Sequence, residues 1–240
     1  MNTIKKLLPL CTIAAFFFIA CKKDSYYVDS GTHDGKYNGT VLDYLNSKHG
    51  YFDSLVKIVH IAGMDNVFNS ENITFFAPAD SSIRREIKNT NFYLYLLGKD
   101  TIAKLEQVSP DVWKDVLGMY LFKGKKQMND YPQVDLNLNQ TYSGQNYLSY
   151  SNHVMNIGVV YNDANGVKYS GYRQLCLSYV PNLATPLYGW ISTLVASSNI
   201  QANNGYIQVL QFSDHYFGFD QGDAFAYKVI NSGGVLPLKP

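Results

Sequence analysis

The sequence predicts an α+β fold, and three features of its 240 residues lead to that prediction. Residues 72–80 have the pattern of a short buried strand that ends at a proline and passes into a helix. Residues 52–63 and 110–120 have the apolar spacing of amphipathic helices. From Tyr131 onward the hydrophobic period changes to two, which is typical of strands.

The strand within residues 72–80 is the centre of the prediction. Its strand-forming side chains are Thr74, Phe75 and Phe76. Pro78 has no N–H group to donate to a neighbouring strand, and it favours extended backbone at Ala77, so we expect the strand to end there. Asp80 is expected to cap the helix that follows.

Local signals mark the ends of further helices. Thr40 is a candidate N-cap, and Gly63 is a natural stop for the helix over residues 52–63. Ser109 followed by Pro110 predicts another helix start, because proline fits the first position of a helix. The apolar residues 92–97 are too few for an assignment.

The second half of the chain is expected to form strands. Leu136 and Leu138 alternate with polar residues. Residues 153–161 and 167–173 flank an Asn- and Gly-rich turn and are predicted to form a β-hairpin. Another strand–turn–strand unit is predicted over residues 199–210. The two ambiguous stretches are residues 187–196, which suit a strand or a short helix, and the aromatic residues after 212, which suit an extra strand or an ordered tail.

The first residues resemble a secretion signal. Two lysines precede an almost wholly apolar run over residues 7–20, and Ala20 precedes Cys21. This ending resembles the lipobox of bacterial lipoproteins, in which the cysteine is acylated. We therefore expect a lipoprotein signal peptide over residues 1–20, lipid attachment at Cys21 and a tether over residues 21–38. The alternative is an ordinary signal peptide that contains a cysteine.

The cysteine count agrees with a lipid anchor. Cys11 lies in the leader and Cys21 would carry the lipid, so Cys176 alone remains and has no partner for an intramolecular disulfide. Cys176 is expected to be a small buried apolar residue. The predicted location is the bacterial cell envelope, with the chain attached to a membrane by its lipid, most simply the outer membrane.

Composition and motifs argue against several function classes. The formal net charge is +1 and charged residues make up 16%, which does not favour nucleic acid as a partner. The five histidines show no metal-ligand spacing, and no nucleophile elbow or phosphate-binding loop is present. We therefore expect no catalytic residues, metal or cofactor. His60 is expected to be a half-buried packing residue.

Four segments together resemble a known family. They are the helix ending at Gly63 and residues 73–80, 117–125 and 203–210. Their order is similar to that of the fasciclin (FAS1) domain, whose first block reads Thr-hydrophobic-Phe-Ala-Pro-Thr-Asp and whose last contains Asn-Gly. The residues that carry the motif here are Thr74, Phe75, Phe76, Ala77, Pro78, Asp80, Asn204 and Gly205.

The resemblance implies a wedge-shaped β-sandwich with helices packed on its edge, over residues 39–212. Residues 142–186 exceed a typical member and are predicted to be a β-rich insertion, and residues 213–240 form a C-terminal aromatic extension. The family's Tyr-His pair falls on Met119-Tyr120, so its histidine is absent here, and Gln208 replaces a second family histidine.

The function expected from these observations is a lipid-anchored binding or adhesion module that contacts a protein or matrix component. Tyr120 is a candidate binding residue through its place in the motif. The alternative is a glycan-binding lipoprotein that uses exposed tyrosines and Trp190 or Trp113 as stacking platforms. A hydrolase with catalytic groups scattered along the chain is a third hypothesis.

Overall fold

The computed structural model describes residues 35–238. Residues 35–240 group into one compact unit. The predicted leader over residues 1–20 and Cys21 lie outside the described residues, as does most of the tether, so those assignments stay predictions. No helix in the described part is long and apolar enough to cross a membrane.

The first half of the described chain is mainly helical. Its helices, with one more near the C-terminus, are α1 (Val41–Asn46), α2 (Asp53–Ile61), α3 (Asp65–Ser70), α4 (Asp80–Leu96), α5 (Pro110–Gly118) and α6 (Ala224–Asn231). The predicted cap at Thr40 is confirmed, because Thr40 and Asp43 form a reciprocal capping box at the start of α1. The predicted start at Pro110 and the stop near Gly63, where φ is +65°, are also confirmed.

Eight strands form one curled, mixed sheet. They are β1 (Ile73–Ala77), β2 (Leu121–Lys123), β3 (Gln133–Val134), β4 (Gln145–Leu148), β5 (Val154–Tyr161), β6 (Arg173–Tyr179), β7 (Ile191–Ala202) and β8 (Gly205–Leu210). Their order is β2-β1-β8-β7-β6-β5-β3, with β4 also paired to β5. The α+β class predicted from the sequence is therefore confirmed.

The long strand β7 joins the two halves of the sheet. Its first residues pair with β6, whereas residues from Val195 onward pair with β8, with register shifts between Val195 and Ile200. Such irregularities bend a strand and increase its twist. The ambiguous residues 187–196 thus contain the start of β7.

The buried strand β1 lies at the centre of the helical half of the sheet. It pairs antiparallel with β2 and parallel with β8, and all five of its residues are buried. Phe75 packs edge-to-face on Phe68, and Phe76 packs edge-to-face on Phe122. The prediction of a buried strand that ends before Pro78 is confirmed.

Two sequence-based expectations about secondary structure are wrong, and the structure assigns one stretch that the sequence left open. Leu136 and Leu138 lie in turns and are exposed, so their alternation does not mark a strand. The second strand of the predicted hairpin begins at Arg173, because residues 162–172 form a long loop. Residues 92–97 continue α4 to Leu96. Apolar alternation and short apolar runs are ambiguous when the tertiary partner is unknown.

The two segments outside the predicted core of the domain are integrated into the fold. Residues 142–186, predicted to be an insertion, contain β4, β5 and β6. The aromatic residues after 212 form no strand; they supply buried rings, including Phe217 and Phe225, and the helix α6. The proposed domain boundaries themselves stay predictions.

Candidate functional site

The first block of motif residues is structural. Every residue from Thr74 to Asp80 is buried. The hydroxyl of Thr74 donates to the carbonyl of Gly124 at 2.8 Å and accepts from the N–H group of Lys126 at 2.8 Å. This residue therefore fixes the turn after β2 and presents no group to a ligand.

Asp80 does not cap its own helix, which corrects the sequence-based expectation. Asp80 is the first residue of α4, and its carboxylate accepts hydrogen bonds from the backbone N–H groups of Ser54 and Leu55 at 2.9 and 3.1 Å. Those N–H groups belong to the first turn of α2, which has no side-chain cap of its own. Asp80 thus joins α2 to α4.

The second block, Asn204 and Gly205, is also structural. Asn204 is 8% exposed, and its side chain bonds to backbone groups of Val41 at the start of α1, Phe68 within α3 and Glu71 just after α3. Gly205 lies where β8 passes β1, and a Cβ atom there would stand 2.2 Å from the carbonyl oxygen of Ile73. Only glycine allows the two backbones to approach this closely. Gln208, in place of the family histidine, is buried and accepts from the N–H group of Asn199.

Tyr120 is not a surface binding residue, which corrects a second expectation. Its ring is fully buried and stacked between Phe217 and Phe219, with centroids 5.3 and 5.2 Å away. Its hydroxyl lies 2.8 Å from Nε2 of His215 and accepts from the N–H group of Gly218. Both the aromatic stack and the histidine come from the C-terminal segment, which the sequence pattern did not place beside Tyr120.

A second buried titratable group lies on α4. Glu86 is 1% exposed, and burial raises the pKa of its carboxyl to about 8. One carboxyl oxygen accepts from Thr90, whereas Oε2 has no hydrogen-bond partner within the described residues. Burial also lowers the pKa of His215 to about 3, with Arg85 as a further cause. Neither group reaches solvent, so we assign both to the packing of the C-terminal segment.

The four histidines within residues 35–238 lie apart from one another, and each faces a carboxylate or a tyrosine hydroxyl. His60 is exposed and pairs with Asp65, so its expected role as a packing residue is wrong. Nε2 of His153 lies 2.8 Å from Asp115, and Asp115 is shared with Lys228; His153 and Lys228 hold the pKa of that carboxyl at about 2. No hydroxyl or thiol bonds to the ring of His153 in the part of the chain described. Likewise, residues 35–238 contain no cluster of three metal-ligating side chains.

The aromatic residues proposed as glycan platforms are dispersed. Trp113 is fully buried, which removes it as a platform. Trp190 is half-buried, and its ring N–H donates to the carbonyl of Pro186 at 2.7 Å. Tyr172 and Tyr188 are well exposed, but within the described residues no ring contact joins either of them to Trp190. Cys176 is buried as expected, and burial raises the pKa of its thiol to about 11.

A concave surface lies between α2, α4 and the loop that precedes the short helix Leu105–Gln107. We call it the α2–α4 groove, and its volume is about 710 Å³. Its floor is formed by Ile83, Ile87, Ile102 and Leu105. Its cationic side chains are Lys57, Arg84, Lys88 and Lys104, and its acidic side chain is Asp53. An apolar floor with polar groups at the rim is typical of a binding site.

The walls of the groove are held in place by specific bonds. Asn91 of α4 donates to the carbonyl of Ile102 and accepts from its N–H group, at 2.8 and 2.7 Å, which fixes the loop to the helix. Lys57 of α2 pairs with Glu106 at 2.7 Å and joins the opposite wall to the same loop. With Asp80 joining α2 to α4, all three walls are connected, so the groove is formed before any ligand binds.

The charge of the groove is unbalanced. Arg84 and Lys88 are exposed, and neither makes an ion pair or hydrogen bond in residues 35–238. Lys57 is neutralised by Glu106, and Asp53 accepts from the N–H group of Gly50. No local sequence pattern marks this groove, because its residues come from three separate segments.

Fold and site together define an α+β domain with a preformed, cationic surface groove. No family model matches the chain, and no curated protein matches it. Among solved structures, the chain is similar to a FAS1 domain pair from the insect cell adhesion molecule fasciclin I, with a TM-score of 0.46 and 15% identity. The match covers 73% of this chain and 50% of that one, so this chain spans about half the length of the domain pair.

Proposed function

We propose that this chain is a non-enzymatic binding or adhesion module, lipid-anchored through Cys21 in a bacterial cell envelope, that contacts a protein or matrix component outside the cytoplasm. The observation that carries the binding role is the α2–α4 groove, which is preformed, apolar at its floor and cationic at its rim. The leader and Cys21 supply the reason for the location.

The chemistry of the groove selects a class of partner. Ile87 and Leu105, both half-buried, offer an apolar floor, and Arg84 and Lys88 are exposed in the same groove without counter-ions. A partner segment that combines aliphatic or aromatic side chains with carboxylates satisfies both features. We therefore infer an acidic, amphipathic protein segment as the ligand.

Panning of the full chain against a displayed peptide library tests this role. Peptides enriched on the wild-type chain are expected to combine Asp or Glu with apolar residues. The variant R84E/K88E is expected to bind them about tenfold more weakly or worse, because two attractive charges become repulsive. The matched control is K114E/K168E, which reverses two exposed lysines outside the groove and should bind normally.

Two outcomes would overturn the proposal. One is a library that yields no enriched peptide, and the other is enriched peptides that bind the R84E/K88E chain as tightly as the wild type. The anchor has its own test, because acylation at Cys21 requires a mature chain that begins at that cysteine and whose maturation is sensitive to globomycin.

A further inference from the structure

The C-terminal end of α4 carries exposed apolar side chains that the groove does not use. Phe92, Tyr95, Leu96 and Leu97 are 57, 75, 61 and 42% exposed. We call these four residues the apolar tip. Phe92, Tyr95 and Leu96 share one face of the helix, since they are three and four residues apart. Adjacent exposed apolar side chains of this size usually mark an interaction surface.

We propose that the apolar tip inserts into the interface of an anionic lipid bilayer and so fixes the orientation of the tethered domain. The shape of the tip favours lipid over a folded partner. A side chain that is three-quarters exposed, as Tyr95 is, stands out from the surface and does not line a cavity. Protruding aromatic and leucine side chains suit a soft apolar phase, with the tyrosine hydroxyl at the headgroup level.

Charge around the tip favours anionic lipid. Lys88 lies one turn before Phe92 on the same row of the helix, and Lys99 follows the tip directly. Gly98, at φ +63°, reverses the chain, and the N–H group of Lys99 donates to the carbonyl of Leu94 at 2.8 Å. This reversal ends the helix, so the apolar tip lies at the C-terminal end of α4. Asp100 is the one acidic residue in 88–100.

The expected anchor places a membrane within reach. Gly35, the first described residue, is 14 residues after Cys21, and a chain of that length spans at most about 50 Å. A domain held this close to a bilayer meets it at a high effective concentration, so a weak insertion suffices to orient it. This step rests on the proposed lipid anchor, whereas the groove and its partner are independent of it.

The experiment uses the full chain reconstituted into vesicles of about three parts phosphatidylcholine to one part phosphatidylglycerol, some carrying a nitroxide near the headgroup. Y95W places a tryptophan in the tip, and wild-type protein measures the background from Trp113 and Trp190. Insertion predicts a blue-shifted Y95W emission that the nitroxide lipid quenches. The matched control is Y172W, because Tyr172 is equally a well-exposed tyrosine but lies between β5 and β6, and it should not be quenched.

Two further variants separate the lipid contributions. L96S in the Y95W background should reduce quenching by removing buried apolar area. K99E should lower the inserted population about fivefold in these vesicles, and should have little effect in pure phosphatidylcholine. Both alter exposed residues, so unchanged circular dichroism and unchanged binding of groove peptides are expected.

Absence of Y95W quenching on chains that remain with the vesicles would overturn the proposal, as would equal quenching of Y172W. Emission that is blue-shifted but insensitive to the nitroxide, together with a dimeric mass in detergent, would show that a second copy covers the tip, and this too would overturn it. A failure of peptide binding in the groove would leave these measurements unaffected, so the two proposals fail separately.

Discussion

The side-chain oxygen of Asn204 accepts a hydrogen bond from the backbone N–H group of Val41 at 2.8 Å, across 163 positions of sequence. The amide nitrogen of the same side chain donates to the carbonyls of Phe68 and Glu71, each at 3.0 Å. One buried amide therefore satisfies the start of α1 and the end of α3 and attaches both to the turn between β7 and β8.

Replacement of Asn204 is expected to destabilise the domain. N204A should lower the free energy of unfolding by about 2–3 kcal/mol, because it leaves buried backbone groups without partners. N204D keeps an acceptor for Val41, but it places a carboxylate oxygen next to the carbonyls of Phe68 and Glu71. It should therefore lower the free energy of unfolding by at least as much as N204A. Urea unfolding gives the values, with N203A, at the exposed neighbouring position, as the control. Equal stability of N204A and N203A would contradict the role.

Asp80 is expected to stabilise a helix that is not its own. D80A should lower the free energy of unfolding by about 2–3 kcal/mol, because two N–H groups of α2 lose a charged acceptor. D80N should lower the free energy of unfolding by less, since its amide oxygen can still accept one of the two hydrogen bonds. The exposed D111A in the first turn of α5 is the matched control, with an expected loss below about 1 kcal/mol. Hydrogen exchange should show faster opening at Ser54 and Leu55 in D80A; unchanged protection there would disprove the assignment.

Glu86 is expected to make the fold less stable at alkaline pH. Its pKa is about 8 in the folded state against an ordinary value of 4.5, so the folded chain keeps a proton that the unfolded chain has released. The contribution of Glu86 to stability should therefore fall as pH rises from 4.5 to 8 and then level off. E86Q stays neutral, and it should gain roughly 4 kcal/mol over wild type at pH 8 but almost nothing at pH 4.5. Urea titrations at both pH values measure this, and a constant difference between the chains would refute it.

His215 is expected to impose the opposite slope. Its pKa is about 3 when folded and ordinarily 6.5, so the unfolded chain binds a proton that the folded chain does not. The contribution of His215 to stability, measured as the difference between wild type and H215Q, should fall by roughly 3 kcal/mol as pH drops from 6.5 to 4. H215Q should abolish that loss. Y120F removes the hydroxyl that faces His215 but leaves the histidine buried. The difference in stability between Y120F and Y120F/H215Q should therefore keep the same pH dependence, and a constant difference would count against burial as the cause.

Together the two buried groups predict a plateau of stability. Between pH 4.5 and 6.5 the slopes of Glu86 and His215 oppose one another, and outside that range each acts alone. Both groups pack where α4 meets the C-terminal segment, which Arg85 also holds through the carbonyls of Phe212, Ser213 and His215. We expect this segment to open first at either extreme of pH.

Features governed by neighbouring residues could be predicted from the sequence. The capping box at Thr40, the start of α5 at Pro110 and the end of β1 before Pro78 depend on backbone geometry within a few residues, and all three are confirmed. The α+β class followed from apolar periodicity in the same way. The leader and Cys21 are also local signals, and they remain predictions.

Features that depend on contacts between distant segments were decided only by the tertiary structure. Tyr120 was a candidate binding residue, but its large ring packs against Phe217 and Phe219, and burial there removes its apolar area from water. The carboxylate of Asp80 accepts from N–H groups of α2, because packing places the unpaired donors of that helix end beside it. The α2–α4 groove exists only once three segments meet, so no local pattern could have indicated it.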